Sequence, residues 1–309
     1  MKRSLSILAL TALAATTDAG ELRRDLVPAN VSWIGHFDFE GLQRTNLWNQ
    51  LLTHEEFELE DAMGELDEIR REIGIDPLQD IRSITVFGTG MSEEETVAMV
   101  RTTSAIDVAL DRFAEEDEYR RTSRGGYVLH SWDNEGYAYL HEGQGDERVL
   151  LVAGDPATLA RTADVLNGRG LSLMGTATPR VTAVPSSESF VFFAAAEGIP
   201  GLHEIEPASQ IANLAQGIVF QMGEARGELF LTANVLTADI DAALNLSDVF
   251  DGLLALAKLA MATEDLPSSL RDLTRSLQVE TRGNEVWIEF RYSVQALFQA
   301  FEDLAEEAW

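Results

Sequence analysis

The sequence predicts an α+β fold of two related halves, each an antiparallel sheet with helices packed on one face. Three observations predict it. Short runs alternate apolar and polar residues with the period of a strand, longer runs between them carry helical spacing, and one helix-opening segment recurs with the same neighbours.

Along 286–293, Val286, Ile288, Phe290 and Tyr292 point one way, and Trp287, Glu289, Arg291 and Ser293 the other. Such a strand has one buried face, as antiparallel sheets do. Leu277, Val279 and Thr281 precede it through Arg282-Gly283-Asn284, so 277–292 reads as a hairpin. Residues 218–222 and 229–236 form another hairpin about Gly223 to Gly227, and 84–88 with 97–101 a third. A meander follows at 118–123, 126–132, 136–142 and 148–153, with turn chemistry at Arg124-Gly125-Gly126, at 133–136 and at 143–146.

Helices come between. Residues 55–73 carry apolar side chains at loosely helical spacing, and Asp155-Pro156 opens a helix that Gly168 stops. The stretch 242–262 is about long enough to span a bilayer, but Asp248, Asp251 and Lys258 interrupt it, so it reads as a helix buried in a core. The last helix lines up Val294, Leu297, Phe298, Phe301, Leu304 and Ala308 on one stripe, which should cover the preceding sheet.

Residues 103–110 (TSAIDVAL) match 237–244 (TADIDAAL) at five of eight positions, at an offset of 134. Both copies follow a strand hairpin and open a helix, as a duplicated unit would. The chain thus divides into a leader at 1–19, a first half at 20–180 with an extra hairpin, and a second half at 181–309, with the Thr-, Ser-, Pro- and Gly-rich residues 170–188 at the junction.

The leader reads Met1-Lys2-Arg3, then an apolar run from Leu5 to Ala15, then small residues. That is the pattern of a secretory signal peptide cut after Ala19, with Ala14 or Ala15 as alternatives, and the run is too short to span a bilayer. It predicts a periplasmic or extracellular product without stable membrane insertion after cleavage. The chain has no cysteine, which excludes disulfides, thiolate metal sites and a cysteine nucleophile. Without residues 1–19 it keeps 21 basic and 51 acidic residues, a formal charge of −30. Such a surface repels phosphate backbones, so nucleic acid is not expected as a partner.

The segment from Gly74 to Gly88, GIDPLQDIRSITVFG, resembles a signature of uncharacterised secreted bacterial proteins frequent in planctomycetes, G-[FI]-D-P-x-x-D-[LI]-x-[S]-[LI]-T-[LV]-[YF]-G. Residues 126–132 (GYVLHSW) are similar to their second signature, 164–168 (DVLNG) to the helix end that follows, and 251–256 (DGLLAL) to part of their C-terminal half. The resemblance implies export and a shared fold, and brings no activity, cofactor or catalytic residue. Physically, Gly74 ends a helix, Asp76-Pro77 turns the chain, Asp80 caps a short turn, and 84–87 enter the sheet.

No His-Glu-x-x-His pair, nucleophile elbow, P-loop or dinucleotide fingerprint occurs. His36 and Asp38 lie two apart on a predicted strand and so share a side. They could be two metal ligands, or a base and its orienting carboxylate, and His130 with Trp132, or His141 with Tyr137 and Tyr139, could converge on them. Alternatively these residues fill a polar, half-exposed sheet face. His54 and His203 lie on helical or loop segments, and the acidic run 115–118 reads as a solvated helix end. No catalytic residue and no cofactor are assigned; the candidate metal ligands are His36, Asp38 and His130.

The resulting expectation is an exported, non-catalytic envelope protein that binds a protein or polymer partner through an exposed sheet face, with Trp132 and Trp287 as candidate contacts. The alternative is a secreted hydrolase with a histidine–carboxylate or metal site.

Overall fold

Tight turns between alternating segments favour antiparallel neighbours, and in the computed structural model every strand pairing is antiparallel. The structure describes residues 21–53, 60–132, 136–175, 181, 190–197, 214–263, 272–273 and 275–307. The elements are β1 (Trp33–Asp38), α1 (Phe39–Gln43), α2 (Asn46–Thr53), α3 (Glu60–Ile73), α4 (Pro77–Asp80), β2 (Ile81–Gly88), β3 (Thr96–Thr102), α5 (Ala105–Phe113), β4 (Tyr119–Arg124), β5 (Tyr127–Trp132), β6 (Gly136–Glu142), β7 (Arg148–Ala153) and α6 (Pro156–Leu166). Then follow β8 (Phe190–Glu197), β9 (Ala215–Ala225), β10 (Glu228–Thr237), α7 (Ile240–Thr263), β11 (Leu277–Arg282), β12 (Glu285–Ser293) and α8 (Val294–Glu307).

The twelve strands among the described residues belong to one sheet, in the order β11-β12-β10-β9-β8-β1-β2-β3-β7-β6-β5-β4. The α+β class is as expected, and the two halves, whose sheets the sequence left free to be joined or separate, share one. The seam is the antiparallel pair β1–β8, where Gly35 meets Ala194 and His36 meets Phe193. Outward from the seam each side has three strands that are antiparallel neighbours in chain order, then a helix, then strands that return to pair with the third: β7 beside β3 on one side, β12 beside β10 on the other. The first side carries the additional hairpin β4–β5. The offset of 134 does not hold throughout, since Val97 and Leu231 point to opposite faces of the sheet.

Helices cover both faces. Cross-strand partners share a face, so the register assigns every side chain. On one face, Leu159, Ala163 and Leu166 of α6 pack with Ile34, Phe87, Met99 and Leu151 in the largest core. On the other, α5 sets Ile106, Ala109 and Leu110 against Leu140 and Leu150, and α7 sets Ala243 and Leu246 against Val235 and Val286. One-sided cover fails in the first half because both of its faces are apolar: Leu150 and Leu151 are neighbours in the chain and belong to different cores. In the second half the expected alternation holds, with Val286, Ile288 and Phe290 toward α7 and Trp287 and Glu289 away from it.

On the α5/α7 face one register row is apolar across ten strands: Leu140, Leu150, Val100, Ile84, Phe37, Phe192, Met222, Leu231, Phe290 and Leu277. The corresponding row on the α6 face turns polar beyond the seam, passing from Leu151, Met99, Thr85, His36 and Phe193 to Gln221, Thr232, Glu289 and Gln278.

Residues 74–88 have local structural work. Gly74 takes the left-handed conformation (φ 80°) after α3, Asp76 caps α4 through Leu78 N–H, and the Asp80 carboxylate accepts from Asp76 N–H at 2.8 Å and Thr103 Oγ1 at 2.7 Å. The junction 170–188 is not a free linker where it is described, because Leu173 and Val181 are buried in the first half's core. Nor is α7 buried all round. At about 1.5 Å per residue its 24 residues extend roughly 36 Å, and of residues 251–259 only Leu254 is not exposed. Among the described residues no helix is long and apolar enough to cross a membrane. The leader 1–19 lies outside the described residues.

Candidate functional site

The structure does not bring the histidine candidates together. His36 and Asp38 share the α6 face of β1, as their spacing predicts. His36 is 1 % exposed, its Nδ1 lies 2.9 Å from Thr85 Oγ1, and its ring meets Phe190 edge-on at 5.9 Å. Asp38 accepts from Gly41 N–H at 2.7 Å and so caps α1. His130 points to the opposite face, since it shares a register row with Ala138, Val152, Ala98, Val86 and Gly35. Four strands separate β1 from β5, roughly 24 Å at ordinary strand spacing. Ligand bonds near 2 Å cannot span that distance, so His36, Asp38 and His130 do not form one metal site.

His141 with Tyr137 and Tyr139 lies on the α6 face, and His130 with Trp132 on the other, so these pairs also fail to converge. Among the described residues no group of three or more His, Asp or Glu side chains could hold a metal ion. His54 and His203 lie outside the described residues.

His130 instead ends a short polar chain. Arg121 Nε donates to Tyr119 Oη at 2.8 Å, and Oη is hydrogen-bonded to Nδ1 of His130, also at 2.8 Å. Burial, and then the positive charge of Arg121, hold the imidazole below its ordinary pKa and favour its neutral form.

The tryptophan candidates likewise lie apart. Trp132 packs on the α5 face between Phe113 and Tyr119. Trp287 lies on the α6 face, donates Nε1–H to Glu285 at 3.1 Å and carries the Arg282 guanidinium 4.9 Å above its ring. Nine strand spacings, roughly 43 Å, separate β12 from β5. No single sheet face presents both.

One concavity that the fold builds is apolar. Where the second half of α7 passes over the sheet edge, Phe250, Leu253, Leu254 and Ala257 form one wall of a groove. Leu277 and Val279 of β11, Ile288 and Phe290 of β12, and Leu273 form the rest. Its volume is about 380 Å³, within the range of small-molecule sites. None of the nine lining residues is polar or charged.

No protein-family model matches the chain, and no curated protein does. Among solved structures the chain is similar to TP0453. One crystal form of that protein (form III) aligns with a TM-score of 0.47 at 10% identity, over 92% of this chain and 98% of the other. Form IV gives 0.44 at 10% identity, over 90% and 95%, and form I gives 0.43 at 9%, over 92% and 98%.

Chemically, the groove can remove an apolar molecule from water and can do little else. Among the described residues its lining side chains include no acid, base or nucleophile. Motif reading missed it because its residues come from α7, from Leu273 and from two strands, which only the fold brings together. A signal was present: residues 253–259 (LLALAKL) are apolar at six of seven positions, more than one buried helix stripe needs.

Proposed function

We propose that this chain is an exported, non-catalytic binding protein that takes an elongated apolar molecule, such as an alkyl chain, into the groove between α7 and β11–β12. The observation that carries the proposal is the all-apolar lining of a 380 Å³ concavity whose mouth residue Leu253 is 54 % exposed. An unfilled apolar groove leaves its lining in contact with water, and covering that area with an apolar ligand is favourable by about 25 cal/mol per Å². Export rests on the charged, then apolar, then small-residue order of the first nineteen residues. The resemblance of 74–88 to secreted bacterial proteins supports it.

The test is titration with N-phenyl-1-naphthylamine, an uncharged dye that brightens in apolar surroundings. Wild type should bind it saturably. Leu253→Asp, at the exposed mouth, and Val279→Trp, which fills the floor, should each weaken binding about tenfold, the loss expected for a charge or a missing cavity in an apolar site. Equal dye affinity in wild type and both variants, with unchanged circular dichroism, would refute the assignment of the groove.

A further inference from the structure

The two edges of the sheet carry different charge chemistry. At the β11 edge, Arg282 pairs with Glu280 of its own strand. At the β4 edge, Arg120, Arg121 and Arg124 are all exposed on a strand of six residues that contains no acid. None of these three meets a carboxylate within ion-pair distance among the described residues. Arg120 Nη1 donates to the main-chain oxygens of Asp117 and Tyr119, each at 2.7 Å, and Arg121 Nε to Tyr119 Oη. In a chain with 52 acidic residues and 23 basic ones, three arginines within five residues, with no carboxylate in ion-pair distance among the described residues, set this edge apart from the β11 edge.

Among the described residues no strand pairs with the outer edge of β4. Its hairpin with β5 closes at Arg124↔Tyr127 around Gly125-Gly126, with φ of 60° and 87°. A two-residue hairpin closes on a hydrogen-bonded pair, and such pairs alternate along the ladder. Arg120, Thr122 and Arg124 therefore bond to β5, and Arg121 and Ser123 turn their N–H and C=O groups outward. Because Arg120 and Arg124 project from one face and Arg121 from the other, an added strand would find cations on both sides of its ladder.

We infer that β4 is a docking edge for an extended acidic peptide segment, which adds to the sheet as a thirteenth strand. Main-chain bonds to Arg121 and Ser123 hold it, and acidic side chains opposite the arginines select it. The same arginines repel a second β4, so two copies do not pair edge to edge through this strand. The acidic residues 115–118, just before the strand, confine an acidic partner to the length of β4.

The probe is a fluorescein-labelled peptide of alternating glutamate and valine, with a lysine–valine peptide as control, followed by fluorescence anisotropy. The acidic peptide should bind wild type and the basic one should not. Reversal of all three arginines (R120E, R121E, R124E) should weaken binding about tenfold or more. Ser123→Pro removes one outward N–H while leaving the charges and the β5 ladder in place, and should weaken it comparably. Amide exchange gives a readout that does not depend on any variant: the N–H groups of Arg121 and Ser123 should become protected when the peptide binds. Absence of binding to wild type overturns the inference. So does full affinity in S123P together with unprotected Arg121 and Ser123 amides, which would mean charge attraction without strand addition. Preference for a heparin fragment over the acidic peptide would assign the edge to a polyanion and overturn it as well.

Discussion

Removing the Phe193 ring tests whether the twelve strands act as one sheet. Phe193 is fully buried on β8, opposite His36 of β1 and Gln221 of β9, and belongs to the largest core. It therefore sits on the seam between the halves. Phe193→Ala deletes a phenyl ring from close-packed surroundings, which costs about 3–5 kcal/mol in comparable cores. At roughly 2–4 °C per kcal/mol for a chain of this size, the melting temperature should fall on the order of 10 °C. Two single-tryptophan forms report the halves separately, one keeping Trp33 on β1 and the other Trp287 on β12. Guanidinium unfolding followed by fluorescence in each form, and by far-ultraviolet circular dichroism, should shift by the same amount under the substitution. A Trp33 transition that moves while the Trp287 transition stays would refute the idea of a cooperative seam. A loss below about 1 kcal/mol would show that the ring is not packed as described.

His130 makes stability depend on pH in a defined direction. Its folded pKa lies below the ordinary 6.5 through burial and the charge of Arg121, so as pH falls below about 6.5 the unfolded chain takes up a proton that the folded chain refuses, and stability falls. The drop in melting temperature between about pH 6.5 and 5 should be smaller in His130→Gln than in wild type, and an equal drop in both would sink the assignment. The β9–β10 turn holds Arg226 at φ 56°, beside Gly227 at 80°. Arg226→Asn should raise stability by up to about 1 kcal/mol, measured as a higher urea midpoint with unchanged slope, because asparagine tolerates the left-handed region better. A lower midpoint would show that the Arg226 side chain contributes more than its backbone costs.

Much of the local structure is legible along the chain. The alternation at 286–292 places Val286 and Trp287 on their observed faces, Gly125-Gly126 and Gly283 mark hairpins that form, and Asp155-Pro156 opens α6 with the Asp155 carboxylate accepting from Ala157 and Thr158 N–H. These features depend on residues within a few positions of one another. The candidate site was not legible in this way. His36 and Asp38 share a side as their spacing requires, but whether His130 joins them depends on four intervening strands and on register, and a one-residue change of register reverses a side chain's face. The α7 groove has the same character, since Leu254, Val279 and Ile288 meet only after a helix folds back over its own hairpin.

By itself the sequence determined the α+β class, the acidic and cysteine-free chemistry, the positions of most strands and turns, and the absence of familiar catalytic motifs, because each follows from composition or from short-range sterics and periodicity. The tertiary structure decided that the two halves share one sheet, that helices cover both of its faces in the first half, and that α7 overhangs an apolar groove. Those outcomes turn on which strand edges pair and which apolar faces find cover. Apolar attraction has no direction, so many pairings satisfy the same local pattern, and only the whole packed chain selects among them.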